Sequence, residues 1–108
     1  MSTRANVAVQ HQDGSITNVY LHRDGNPEET GQLLATHYAT LETAEQLVSL
    51  GFIRTLGPNL ETTILYSRDR GEELQLDNLS DVNDYLVFLS EYPQQHQYLF
   101  INGKWKHT

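Results

Sequence analysis

Cysteine is absent from this 108-residue chain. Its absence excludes a disulfide framework, a thiolate nucleophile and a zinc–thiolate centre, and makes a reducing cytoplasm the expected home. Long apolar runs are missing too: nowhere do about eighteen apolar residues occur together. The opening MSTRANVAVQ carries one Arg and no apolar run of signal-peptide length. Neither membrane spanning nor secretion by that route is expected.

Positive charge is scarce. Seven Lys plus Arg stand against fourteen Asp plus Glu, a formal net charge of -7. That balance opposes direct binding of bare nucleic acid and favours a basic partner or plain solubility. Motifs of chemistry are missing as well: GxSxG, HExxH, the Walker loop and GxGxxG do not occur, and the histidines at 11, 22, 37, 96 and 107 share no ligand spacing. The chain is expected to be no enzyme and to carry neither a metal nor another cofactor.

What is present is enough for one core. Hydrophobic residues make up 38%, with six Tyr, three Phe and one Trp, and charges are interspersed among them. A single domain spanning residues 1–108 is expected.

RANVAVQ alternates as a half-buried strand, and DGSITNVYLH supplies an Asp13-Gly14 turn and a second strand, so the chain opens on a β-hairpin. Asn26, Pro27 and Glu29 have the spacing of an N-cap, a first helical residue and a capping-box partner, which predicts a helix over 27–40 with Leu33, Leu34, Tyr38 and Leu41 on one stripe. Gly31 weakens that helix by about 1 kcal/mol relative to Ala and hints at close packing. Thr43 and Gln46 repeat the capping spacing before a short second helix that ends at Gly51.

RTLGPNLET reads as a loop, TTILYS as a third strand, and RDRGEELQLDN as a loop or a short strand at Leu74 and Leu76. Ser80 caps a third helix in which Val82, Tyr85, Leu86 and Leu89 keep helical spacing. QYLFINGKWKH closes the chain as a hairpin with an Asn102-Gly103 type I′ turn. The expected fold is α+β, in the order ββααβαββ, a mainly antiparallel sheet with helices packed on one face.

Three groups of residues are candidates for function. His22, Arg23 and Asp24 at a strand end form an acid–base cluster, or simply the turn into the helix. Arg68 and Arg70 fall on one side of a strand if TTILYS continues through them, a pair of guanidiniums suited to an anion that Arg4 and Arg23 join only if the hairpins are adjacent; the plain alternative is surface ion pairing with Glu72 and Glu73. Asp69, Glu72, Glu73, Asp77, Asp81, Asp84 and Glu91 make an acidic run with Arg70 as its only balancing charge. That run suits a basic protein surface, or is a solvated helix face.

The pieces STRANVAV, DGSI, HRDGNPEETGQLLATHY, LVSLG, TLG, SRDRGEEL and YLFINGKW, taken in order, resemble a family of small, mostly uncharacterised proteins of tailed bacteriophages and prophages. In that family's pattern the position between His22 and Asp24 and the one after Gly25 are often aromatic; here they are Arg23 and Asn26. The resemblance implies an accessory role in the host cytoplasm rather than a reaction. Small acidic phage proteins of that kind block host defences by occupying a surface, as anti-CRISPR and anti-restriction proteins do. The expected function is therefore non-enzymatic binding to a host defence or regulatory protein through Asp69, Glu72, Glu73, Asp77, Asp81 and Asp84. The alternative is an oligomeric sponge, a homo-oligomer that sequesters a small anionic nucleotide signal through His22, Arg23, Arg68 and Arg70.

Overall fold

β1 (Ala5–Gln10) and β2 (Ile16–Arg23) form the expected hairpin in the computed structural model, which describes residues 3–108. Asp13 makes the turn: its carboxylate accepts from the Ser15 amide at 3.0 Å and the Ser15 hydroxyl at 2.6 Å, and Gly14 takes φ +91°. The closing hairpin is also as expected. β6 (His96–Ile101) and β7 (Lys104–His107) meet at Asn102 and Gly103, whose φ values of +55° and +80° are those of a type I′ turn.

Both hairpins belong to one sheet. With β3 (Ile53–Thr55) and β4 (Ile64–Leu65) the strand order is β4-β3-β2-β1-β6-β7, and β5 (Asp77–Leu79) pairs the opening residues of β2. The sheet is mixed, because β1 runs parallel to β6 and β2 parallel to β3. The expectation missed β3, which is too short to show alternation. The helical segment after β2 carries the chain back before β3, and such a crossover forces a parallel pairing.

α1 (Gln32–His37) and α2 (Leu41–Val48) cover one face, where Leu34, Tyr38, Ala44, Leu47 and Val48 pack on Val7, Val9, Val19, Leu21, Ile53, Tyr98 and Phe100. α4 (Val82–Glu91) covers the other, with Tyr85 against Ala8 and Ile16. Helices on one face only is therefore corrected to helices on both. β1 is buried on both sides, Asn6 and Ala8 on one as well as Val7 and Val9 on the other, and a strand buried on both faces needs two covers.

Helix starts depart from expectation in instructive ways. Asn26 has an extended backbone, but its side chain donates to Glu28 at 3.0 Å and caps nothing, and Pro27–Gly31 is a single π-helical turn before the short α1. The segment is fastened to the sheet first. The Gly25 amide donates to the Thr3 carbonyl at 2.9 Å, Tyr98 Oη donates to the Gly25 carbonyl at 2.7 Å, and Thr30 Oγ1 donates to the Asp24 carbonyl at 2.6 Å. A Cβ on Gly25 would stand 2.8 Å from Ala5 Cβ.

α2 is capped by Thr40 with Thr43 as its box partner, one turn ahead of the expected Thr43–Gln46 pair. Asp81, not Ser80, caps α4 by accepting from the Asp84 amide at 2.8 Å. The largest local difference is α3 (Tyr66–Arg70), a helix where the end of a strand and then a loop were expected, ended by Gly71 at φ +68°. Asp69 turns back to accept the Leu65 amide at 2.8 Å, which satisfies a donor that a strand would have used. Among the described residues no helix is long and apolar enough to cross a membrane.

Candidate functional site

The register of the sheet assembles a row of cations that no local spacing announces. Ala5 faces Leu21 and Asn6 faces Tyr20, so Arg4, just ahead of β1, continues the antiparallel register opposite His22. On the other flank Leu21 pairs with Ile53 and Arg23 with Thr55, which places Arg54 beside His22. Alternation puts Arg4, His22 and Arg54 on one face of three adjacent strands. Arg23 follows His22 at the strand end.

The arginines act on His22. Partial burial is the main cause that pushes the His22 imidazole below its ordinary value, and the positive charges of Arg4, Arg23 and Arg54 push it the same way. Ion pairs among the described residues join His11 to Glu45, Arg68 to Asp69 and Arg70 to Glu72; Arg4, Arg23 and Arg54 form none. In a chain of net charge -7 with only seven Lys and Arg, Arg4, Arg23 and Arg54 are left without an ion-pair partner among the described residues.

An aromatic pocket adjoins this row. Tyr20 Oη lies 2.8 Å from His22 Nδ1, and the Tyr20 ring meets the Phe52 ring edge-on at 5.8 Å. Tyr20, Phe52 and Tyr66 form the apolar side of a cavity of about 220 Å³, with Glu72, Glu73 and Gln75 on its walls. The site thus joins a cationic row, through Tyr20, to an aromatic pocket with carboxylates on its walls.

A pH effect follows from the lowered His22 value. Because the folded state holds this proton more weakly than the unfolded chain, His22 contributes stability above the unfolded value, and that contribution is lost as pH falls through the lowered folded one. An NMR titration of the His22 ring protons is expected to give a midpoint below 6.5, the ordinary value of a histidine. Arg54→Met should move it upward; an unmoved midpoint would show that the row does not couple.

The residues proposed from sequence are distributed differently. Arg68 and Arg70 do not share a strand face. Arg68 is occupied, donating to the Leu60 carbonyl at 2.8 Å, the Thr63 carbonyl at 2.6 Å and both oxygens of Asp69 at 3.0 and 2.9 Å. Arg70 lies 5.9 Å over the Tyr66 ring and pairs with Glu72 at 3.4 Å. Of the anion-site candidates, His22 stands in the row with Arg4 and Arg23 follows it at the strand end on the alternate face; Arg68 ties α3 to the Leu60 and Thr63 carbonyls.

Most of the acidic run serves local structure. Asp69 holds Arg68 and the Leu65 amide, Asp77 accepts from Asn18 at 3.3 Å, and Asp81 caps α4. Glu72 and Glu73 line the pocket. Asp84 is exposed on α4, whose Leu86 and Val87, with Tyr92 just past its end, are 58%, 59% and 60% exposed. No Lys or Arg occurs between Arg70 and Lys104.

One further constellation has the order of a catalytic relay: His11 lies 2.5 Å from Glu45 and 2.7 Å from Thr17 Oγ1. Thr17 is only 8% exposed and also donates to Asn78 at 3.1 Å, so the three side chains form a clasp between the first hairpin and α2. Among the described residues no group of three or more His, Asp or Glu is placed to hold a metal ion.

Sequence reasoning missed Arg54, Phe52 and Tyr20 as site residues. The signal available was the alternation itself, Tyr20/His22 in one strand and Phe52/Arg54 in another, which becomes informative once the two strands are known to pair. No family model, curated protein or solved structure matches the chain.

Proposed function

We propose that this chain is a non-enzymatic binding protein that captures a small anionic ligand bearing an aromatic ring, a nucleotide in chemical class. The observation that carries this reading is the unpaired row of Arg4, His22 and Arg54 beside a ring-sized aromatic pocket. A cavity of about 220 Å³ suits a base rather than a whole nucleotide. Tyr20 and His22 are two strand positions apart, about 7 Å, so a base in the pocket leaves its phosphate among the arginines. Guanidiniums favour phosphate because they bond it in a fork and stay charged at every working pH. With the resemblance to phage accessory proteins, the role proposed is sequestration of a host nucleotide signal in the host cytoplasm.

A second reading, blocking of a host defence or regulatory protein, is favoured by α4. Its exposed Leu86, Val87 and Tyr92 lie in a segment without cations, beside Asp84 and Glu91, and suit a basic partner with an apolar centre. Asp81 is unsuitable for testing this, since reversing it removes the helix cap.

Native mass spectrometry of the tagged protein recovered gently from infected bacterial cells separates the two. An adduct of nucleotide mass that disappears in the Arg4→Glu/Arg54→Glu double variant supports capture. A stoichiometric protein adduct that survives the double variant and is lost in Asp84→Lys assigns the second reading instead and overturns the first.

A further inference from the structure

We infer that the base selected by the pocket is guanine, read at its far edge by Glu73 and Gln75. This rests on the reading of the site as a nucleotide pocket and adds the identity of the base.

Beside the rings of Tyr20, Phe52 and Tyr66 the pocket is lined by Ser67, Glu72, Glu73 and Gln75 and by no cation; Arg70 lies outside the lining, over the Tyr66 ring and paired with Glu72 at 3.4 Å. Glu73 has no hydrogen-bond or ion-pair partner among the described residues. Gln75 is held in place by its backbone, whose carbonyl accepts the Phe52 amide at 2.9 Å, and its side-chain amide is left for a ligand.

A carboxylate only accepts, and it accepts best from two donors side by side. Guanine presents such a pair, N1–H and the N2 amino group, next to an O6 acceptor that a glutamine amide can satisfy. Adenine and cytosine each offer one amino group beside a bare ring nitrogen, whose lone pair would face the carboxylate; uracil offers one N–H between two oxygens. The charges of the site also run the right way. Phosphate meets the arginines, and the donor edge of the base meets the acids.

Isothermal titration of the full chain with GMP, IMP, AMP, CMP and inorganic phosphate tests this. GMP is expected to bind roughly tenfold or more tightly than AMP or CMP, with IMP between them because it lacks the N2 amino group. Glu73→Gln, at an exposed position where the fold is not at stake, should erase the difference between GMP and AMP. Equal binding of all the nucleotides, or a preference untouched by Glu73→Gln, overturns the guanine assignment and leaves nucleotide capture standing. Binding of phosphate as tightly as of GMP overturns it by showing the pocket empty of base. No binding of any nucleotide overturns both readings.

Discussion

Asn18→Leu is expected to lower stability by about 3 kcal/mol, since each buried polar group left without a partner costs about 1–3 kcal/mol. Asn18 is 1% exposed and sits at the centre of a chain of amides that crosses the sheet beneath α4. Tyr85 Oη donates to its Oδ1 at 3.0 Å, and its Nδ2 donates to Asn6 Oδ1 and to Asp77 Oδ2, each at 3.3 Å. Asn6 passes the chain on, donating to Gln97 Oε1 at 2.8 Å and the Tyr92 carbonyl at 3.2 Å. Side chains of β5, β2, β1, β6 and α4 are joined in this way, and no buried side-chain polar atom among the described residues lacks a partner.

A leucine at 18 has nearly the right volume, so little of the cost comes from a cavity. It comes from the Tyr85 hydroxyl and the Asn6 carbonyl oxygen, both cut off from water. Burial, reinforced by the charge of Asp77, holds the Tyr85 hydroxyl well above its ordinary pKa, so it stays protonated and needs an acceptor. For a domain of this size the loss corresponds to a fall in Tm of about 12 °C or more. Tyr85→Phe, which strands only the Asn18 oxygen, should cost about 1 kcal/mol. Chemical denaturation followed by circular dichroism measures both; an Asn18→Leu loss below that of Tyr85→Phe would mean that the amide chain is not what holds α4 to the sheet.

The amide chain also shows where the sequence could be read and where it could not. Asp13-Gly14 and Asn102-Gly103 declare their hairpins because the positive φ of a tight turn falls on residues that accept it, Gly14 in one and Asn102 with Gly103 in the other. Val7, Val9, Leu34 and Leu47 declare their elements because periodicity is local. Asn6 and Asn18 look like the polar, solvent-facing positions of a half-buried strand, and only the arrival of Tyr85 from a distant helix turns that face into a second core. The same holds for the candidate site. Arg4, His22 and Arg54 come from three strands, and the parallel pairing that brings Arg54 to His22 depends on a three-residue strand with too few positions to show a period. Arg68 misled for the converse reason: two arginines two apart imply a shared face only while the backbone is extended, and Asp69 bends it into a helix.

Gly57→Ala is expected to be nearly as damaging, about 3 kcal/mol, although a loop glycine after Leu56 gives no such warning in the sequence; overpacking alone costs typically about 1–3 kcal/mol. Gly57 is buried where four segments meet. Its carbonyl accepts Tyr38 Oη at 2.8 Å, its amide donates to Thr63 Oγ1 at 3.0 Å, and Trp105 Nε1 reaches the Tyr38 carbonyl from β7 at 2.8 Å. An added Cβ would lie 2.8 Å from the Thr62 carbonyl carbon and 2.9 Å from its oxygen. Those are backbone atoms and have no rotamer by which to escape, so the 59–63 turn must shift and break the bonds of Thr63. The turn also offers its Leu60 and Thr63 carbonyls to Arg68, so α3 and the Tyr66 wall of the pocket should loosen with it. Gly31→Ala is the control. Its Cβ would meet nothing nearer than 3.7 Å and its backbone is already right-handed helical, so that change should stabilise the chain by about 0.5–1 kcal/mol. Equal thermal shifts for the two substitutions would show that close packing at Gly57 does not limit stability; opposite signs would locate the strain at Thr62.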